Sequence, residues 1–274
     1  MKPLVKWAGG KTWLAQITHD VFVTQKPKKV IELFAGSAAF SLRNEFRNVT
    51  LNDTNRALIN LYQQLARGYQ IDLDDFKLDE TLFYTLREEL NQALIQNTPL
   101  TEREAAIFWY LCKHSFNGLV RQSKKKGTFN MPFGRYKKLA TPPDTKQFMS
   151  VAKEWQFHCG CFSDIDISDA DFLLVDPPYE KTFRGYTNDP NIDLPNKIIK
   201  KLSHYDGAVI ITNTLLPNLT ALHREAGFKV YKAAVRRSIS QKAQSRGQVF
   251  ELVALRGFSS SQFRHLNETL LPIE

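Results

Sequence analysis

The sequence predicts an α/β protein built on a mixed, mostly parallel sheet of seven strands, with a mainly helical insertion that carries a β-hairpin. Three observations predict it. Short apolar runs alternate with helical patterns in residues 1–56 and again in 145–274. Several of those runs stop at small residues, a carboxylate or a proline, as strands do beneath a ligand site. Between them, over 57–144, the period becomes helical and the strands lapse.

Taken in order, a helix is expected over 12–23. Gly9-Gly10-Lys11-Thr12 has the ending of a phosphate-binding loop, but Val5 stands where that motif needs its first glycine. Residues 29–34 form the first strand, and Ala35-Gly36-Ser37-Ala38 leads into a helix running to about Phe46. Only small residues let a backbone come close to a ligand, so strand, turn and helix start make a cradle for a nucleotide-type cofactor. The second strand, 49–53, ends in Asp53, where a carboxylate can accept both hydroxyls of a ribose. The same residue also reads as a helix cap, because Asp53-Thr54-Asn55 precedes a helix over 57–66, and the two roles can coexist.

Helical patterns then cover 54–67, 80–96 and 102–114. The sheet resumes with a helix near 148–151 and strands at 156–159 and 172–175. A helix over 196–202, a strand over 207–212 and a helix over 219–226 follow. Two closing strands, 228–235 and 248–255, are expected as antiparallel neighbours, and the residues from Phe258 read as an accessory tail.

Lys and Arg number 37 against 28 Asp and Glu, a formal net charge of +9 that favours a polyanionic partner. The surplus is concentrated. Between Glu104 and Asp144 no residue is acidic, while Lys113, Arg121, Lys124, Lys125, Lys126, Arg135, Lys137 and Lys138 are basic. Phe116, Phe129, Phe133 and Tyr136 are interleaved with them, and Gly127 after three lysines marks a hairpin tip. A solvated loop explains the charge but does not require the rings; a nucleic-acid surface uses both. A second basic segment, Arg236-Arg237-Ser238-Ile239-Ser240, lies between the closing strands.

No apolar run approaches the roughly 20 residues of a membrane span, and the amino terminus has no signal-peptide core, so no membrane partner is expected. The three cysteines give no disulfide framework, and Cys159-Gly160-Cys161 lacks the second ligand pair of a structural zinc site. A reduced, cytoplasmic, metal-free protein is expected.

The stretch Phe172-Leu-Leu-Val-Asp176-Pro177-Pro178-Tyr179 carries the chemistry. Four apolar residues make a buried strand, and two prolines forbid its continuation because proline fixes φ and has no N–H. The result is a stiff turn holding a carboxylate, a carbonyl and an aromatic ring. Such a set can grip the exocyclic amine of a flat heterocycle. An incidental Asp before a Pro-Pro strand terminator is the plainer reading, and the other motifs decide against it.

Lys6-Trp-Ala-Gly-Gly-Lys11, Asn117-Gly-Leu-Val-Arg121, Phe129-Asn-Met-Pro-Phe-Gly-Arg-Tyr-Lys137 and Asp176-Pro-Pro-Tyr179, in this order, resemble Dam-type DNA adenine-N6 methyltransferases of the alpha group, the D12 class. The resemblance implies a Rossmann-like class I methyltransferase fold. Residues 1–56 and 145–274 would form the domain that binds S-adenosylmethionine, and 57–144 the target-recognition insertion. Double-stranded DNA is the implied partner, with no protein partner required, in a prokaryotic or phage protein found at the nucleoid.

By similarity, Trp7 and Lys11 would lie at the methionine end of the donor, Lys11 on its carboxylate. Phe34 and Phe162 would sandwich the donor's adenine, Asp53 would take its ribose, and Asp176 would border both donor and target. Asp176, Pro177 and Tyr179 would hold the target base. Arg121 is the implied guanine contact, Leu119 and Pro132 would touch thymine methyls, and Phe116 and Asn117 would brace the gap. Arg135, Tyr136 and Lys137 would mix base and phosphate contacts, with Lys125 on phosphate. The motif agreement points to GATC. One departure stands out: the family's Phe-x-Gly-x-Gly is Phe34-Ala-Gly36-Ser-Ala38 here, which predicts altered donor affinity rather than its loss.

Adenine N6 shares its lone pair with the ring and is a poor nucleophile. If Asp176 and the Pro177 carbonyl each accept one N6–H, the lone pair turns outward and in-line transfer needs no covalent intermediate. Cytosine-N4 and RNA-adenine methylation use the same chemistry. A glutamine methyltransferase of the release-factor type has Asn at the position of Asp176 and no basic insert. A DNA-binding repressor explains the charge alone.

Overall fold

The computed structural model describes residues 1–123, 127–179, 194–236 and 248–273. Among these, one sheet is formed by β1 (Val30–Glu32), β2 (Val49–Asp53), β3 (Gln156–Cys159), β4 (Phe172–Val175), β5 (Ala208–Thr214), β6 (Lys229–Arg236), β7 (Gln248–Arg256) and β8 (Leu271–Pro272). The order across it is β3-β2-β1-β4-β5-β7-β6-β8. The first five are parallel, and β7 runs antiparallel between β5 and β6. That order is the Rossmann-like methyltransferase arrangement implied by the motifs.

Strand order reverses between β1 and β4, which lie side by side with Val30 opposite Phe172 and Glu32 opposite Leu174. Open α/β sheets bind their ligands at such a switch point, beyond the carboxyl ends of the strands. The turn at Gly36 and the turn at Asp176 therefore meet because β1 and β4 are neighbours.

At the centre of the sheet both faces are buried, and the strands show it. Val30, Phe172, Leu174 and Ile210 face one core with Phe22, Phe40, Phe46 and Phe258. Ile31, Leu33, Leu173, Val175, Val209 and Ile211 face the other with Phe162, Ile198 and Leu219. Successive side chains of a strand point to opposite faces, so a continuous apolar run is what two-sided burial demands.

Around the sheet pack α1 (Thr12–Ile17), α2 (His19–Thr24), α3 (Ala39–Asn44), α4 (Arg56–Ala66), α7 (Thr145–Ala152), α8 (Leu194–Leu202) and α9 (Pro217–Glu225). The single helix expected over 12–23 is two. Thr18 lies between them with φ −101° and ψ 3°, and its hydroxyl donates to the Leu14 carbonyl at 2.8 Å. That back-bond competes with the helical ladder and bends the chain.

The region 57–144 contributes α4, α5 (Glu80–Ile95) and α6 (Glu102–His114), with the same core continuing into it. Helix α6 starts at a capping box of Thr101 and Glu104 and is buried from Ala105 to Cys112. The hairpin expected near Gly127 is present at its base, where Gln122 pairs with Phe129 and Gly127 has φ +63°. Its three lysines lie outside the described residues, as do 237–240 of the second basic segment.

Two expectations change at the carboxyl end. Among the described residues the sheet has eight strands rather than seven, because Leu271 and Pro272 pair with Lys232 and Tyr231. Two residues, one a proline, carry no periodic signal, and an edge is where a strand tolerates proline. The segment after Phe258 is also more than an accessory. Helix α10 (Ser260–Thr269) buries Leu266, and Phe258 and Leu270 join the main core. Among the described residues no helix is long and apolar enough to cross a membrane.

Candidate active site

Asp176 follows β4 at the switch point. Its Oδ1 accepts from the Thr212 hydroxyl at 2.7 Å, and its Oδ2 accepts from Lys11 Nζ at 2.6 Å. Lys11 is only 3% exposed and also donates to the Gly9 carbonyl at 2.5 Å. The motif resemblance puts Lys11 on a donor carboxylate; here its ammonium is held by the carboxylate of Asp176. A carboxylate has about four lone-pair sites, so each oxygen keeps capacity for another donor. Pro177 is buried, and its carbonyl takes no hydrogen bond from the described residues.

Tyr179 is half-buried. Its hydroxyl donates to Glu251 Oε2 of β7 at 2.5 Å, and Lys11 Nζ stands 5.1 Å from its ring centroid. Burial raises the Tyr179 hydroxyl well above its ordinary pKa, and the carboxylates of Asp176 and Glu251 raise it further. The phenol stays a donor, which fixes the ring. Glu251 and Thr212 escaped the sequence reading. A signal was there for both: Thr212 closes the strand expected over 207–212, beside Asp176, and Glu251 is a lone acid inside an apolar strand.

The turn after β1 is shaped by close approach. Gly36 has φ +48°, and a Cβ on it would stand 3.0 Å from Trp7 Cδ1. Below it, the Tyr62 hydroxyl donates to the Gly36 carbonyl at 2.8 Å. Ala38, where the family has glycine, is the residue before α3 and adopts φ 49°, ψ 27°. A Cβ in this left-handed region costs about 1–2 kcal/mol, so Ala38→Gly is expected to stabilise the fold by about 1 kcal/mol after the added freedom of the unfolded chain is deducted. A rise in urea midpoint at unchanged slope is the measurement.

Asp53 ends β2 beside this turn. Its Oδ2 accepts from the Gly36 N–H at 3.0 Å and its Oδ1 from the Asn55 N–H at 2.9 Å. Burial raises its pKa, and the backbone N–H groups of Gly36, Asn55 and Thr54 pull it back. Asp53 thus ties the two strand ends together, while Asn55 caps α4 through Leu58 N.

Phe34 and Phe162 are brought together, but too closely for a sandwich. Their centroids are 5.2 Å apart at an interplanar angle of 34°. A flat ring between two others needs about 7 Å, twice a carbon contact distance. The two rings form one wall, and a purine enters between them only if they part. The rest of the cradle suits a nucleoside-type cofactor: small residues at Gly9, Gly10 and Gly36, the Asp53 carboxylate, and the Trp7 indole over the turn.

Residues 116–137 present an exposed polar and aromatic edge. Phe116 is 50% exposed, Asn117 has φ 56°, and Leu119 is half-buried. Arg121, Pro132, Arg135, Tyr136 and Lys137 are exposed. The Phe116 N–H donates to the Pro132 carbonyl at 2.9 Å, and the Tyr136 hydroxyl to the Ser115 carbonyl at 3.0 Å. Lys6 joins this edge to the amino-terminal segment: its Nζ is 5.8 Å from the Tyr136 ring, and a Cβ on Gly118 would stand 2.7 Å from its Cδ. Lys125 lies outside the described residues.

A model of the family described as D12 class N6 adenine-specific DNA methyltransferase matches residues 7–243. The DNA adenine methylase of Haemophilus influenzae is 32% identical, over 93% of this chain and 94% of its own. The Type II methyltransferase M.MjaIII of Methanocaldococcus jannaschii is 30% identical, over 93% of this chain and 99% of its own. The DNA N-6-adenine-methyltransferase of Escherichia phage P1 is 30% identical over 93% of this chain, which spans 35% of that protein's length. The match runs from Trp7 through both strand-end turns and the basic insertion, and it makes this enzyme a methyltransferase: the chain belongs to the D12 class of N6 adenine-specific DNA methyltransferases.

Proposed function

We propose that the enzyme transfers a methyl group from S-adenosylmethionine to N6 of an adenine turned out of double-stranded DNA, within GATC. The observation that carries this is the Asp176-Pro177-Pro178-Tyr179 corner. It lies at the switch point, with Asp176 oriented by Thr212 and Lys11 and with the Pro177 carbonyl taking no hydrogen bond from the described residues. The sulfonium of the donor supplies an electrophilic methyl group. The chain's own part is to hold the amine.

Asp176 and the Pro177 carbonyl would accept the two N6–H bonds and turn the nitrogen lone pair out of conjugation. The proton that N6 gives up as it takes the methyl group would leave by way of the Asp176 carboxylate to solvent. Tyr179, fixed by Glu251, offers a stacking surface beside them. A base inside a duplex is out of reach of this corner, so it must leave the stack at a cost of a few kcal/mol, which one aromatic stack of about 1–3 kcal/mol offsets in part. Residues 1–56 and 145–274 would bind the donor and perform transfer, and 57–144 would read the site. Arg121 is the proposed guanine contact, and Arg121→Ala is expected to lose about 1–3 kcal/mol of discrimination at one base pair. Initial rates on duplexes altered one pair at a time measure it. Equal loss on every duplex makes Arg121 a phosphate anchor instead.

The assignment is tested with tritiated S-adenosylmethionine and unmodified plasmid, followed by nucleases that differ in sensitivity to N6-methylated GATC. Label in DNA with protection at GATC supports it. Label without that protection moves the recognition sequence, and no label in DNA overturns the reading.

A further inference from the structure

Helix α5 carries a polar stripe that the catalytic corner does not use. Tyr84, Arg87 and Asn91 are spaced three and four residues apart, so they line one face of the helix. Each one meets the backbone of the segment 129–133. Asn91 is buried and clamps Phe129 twice: its Nδ2 donates to the Phe129 carbonyl at 3.0 Å, and its Oδ1 accepts the Phe129 N–H at 2.7 Å. Arg87 Nη1 donates to the Met131 carbonyl at 2.8 Å, and the Tyr84 hydroxyl accepts the Phe133 N–H at 3.4 Å. The Arg87 guanidinium lies 4.7 Å over the Tyr84 ring, which stiffens the stripe.

The partners step by two along the segment, the repeat of an extended strand. Seven helical residues rise about 10.5 Å, and four strand residues about 13 Å, a difference that side-chain reach absorbs. One backbone edge of 129–133 therefore faces α5. The other edge faces the remaining recognition loop: the Asn130 N–H donates to the Arg121 carbonyl at 3.0 Å, and the Pro132 carbonyl accepts from Phe116 N. The side chains alternate accordingly. Phe129 and Met131 are buried, while Asn130 and Pro132 are exposed. A slip of one residue would exchange those two sets and carry Arg121 and Phe116 with it.

We propose that Tyr84, Arg87 and Asn91 are positioning residues for sequence readout, a helical ladder that replaces a neighbouring strand and fixes the register of 129–133. This rests on the reading that the segment and Arg121 recognise DNA. The ladder touches no DNA itself. It decides which side chains of the segment and of the Arg121 loop face the duplex.

The test is kcat/KM of the full chain on a GATC duplex and on duplexes altered at one base pair, for Asn91→Ala, Arg87→Met and Arg87→Lys. Arg121→Ala is run beside them. Asn91→Ala and Arg87→Met are expected to lower the ratio of cognate to altered rates by about tenfold, within the range of one bidentate base contact. The loss falls on KM for the cognate duplex, and calorimetric binding of S-adenosylmethionine stays within about twofold. Arg87→Lys retains a donor toward Met131 and restores the ratio; should Asn91→Ala fail to fold, the two Arg87 variants carry the test. A lower melting temperature with an unchanged ratio, while Arg121→Ala does relax it, overturns the ladder and leaves DNA reading by Arg121 standing. An unchanged ratio in every variant, Arg121→Ala included, overturns both.

Discussion

Asp176→Asn is expected to lower methyl transfer by at least about 10²–10³-fold, the loss that follows removal of one preorganised polar group at a reacting centre. DNA affinity should change little, because the residues of 116–137 proposed to contact DNA are untouched. The asparagine carbonyl can still accept the Thr212 hydroxyl, so the turn retains one of its two supports. The second oxygen becomes an NH₂, which donates and cannot accept an N6–H. Single-turnover incorporation of tritium measures the effect, and turnover within tenfold of the parent would remove Asp176 from the reaction.

Both substitutions strand Lys11, and Asp176→Ala is the less informative because it also loses the Thr212 hydrogen bond. The Lys11 ammonium is buried, 2.6 Å from Asp176 Oδ2. Taking away one member of a buried pair leaves the other unpaired, at about 3–5 kcal/mol. Loss of activity in either single variant would therefore mix chemistry with folding, the alanine variant more so. Asp176→Asn combined with Lys11→Met removes the stranded charge, and its fold should survive while its activity stays absent.

How much of this was legible in the sequence follows from the range of each interaction. The Asp176 corner was legible because two prolines act locally: they end a strand wherever it lies. The pairing of the Gly36 and Asp176 turns followed once the strands were ordered. Asp53 was legible as a strand-end carboxylate, though not that its oxygens would join Gly36 to Asn55. The strained backbone at Ala38 was hidden, because an alanine announces nothing about its φ. Thr212, Glu251 and the α5 stripe depend on contacts between distant segments, and no local spacing records which backbone a side chain will reach. The distance between Phe34 and Phe162 was hidden for the same reason, since a motif names two rings without fixing the gap between them.

Glu32→Gln is expected to change the pH dependence of stability. Glu32 lies on β1, fully buried, and its Oε1 accepts the Ser41 N–H at 2.9 Å. Ala38 has no side chain to cap α3, so the carboxyl of Glu32 does so from the sheet. Burial raises its pKa from 4.5 to about 7; the Ser41 N–H opposes this, the Asp176 carboxylate adds to it and the Lys11 ammonium opposes it. A carboxyl raised on folding binds its proton more tightly in the native state. Its contribution is fully present below pH 4.5 and is lost as pH rises to about 7. At 1.36 kcal/mol per unit the interval corresponds to about 3 kcal/mol. Glutamine can still accept from Ser41 and does not ionise. Denaturant titrations should therefore find Glu32→Gln and the parent alike at pH 4.5, with the variant more stable at pH 8 by up to about 3 kcal/mol. Parallel curves from pH 4.5 to 8 would mean that Glu32 is solvated in the native state, and that the charge beside Asp176 is set by Lys11 alone.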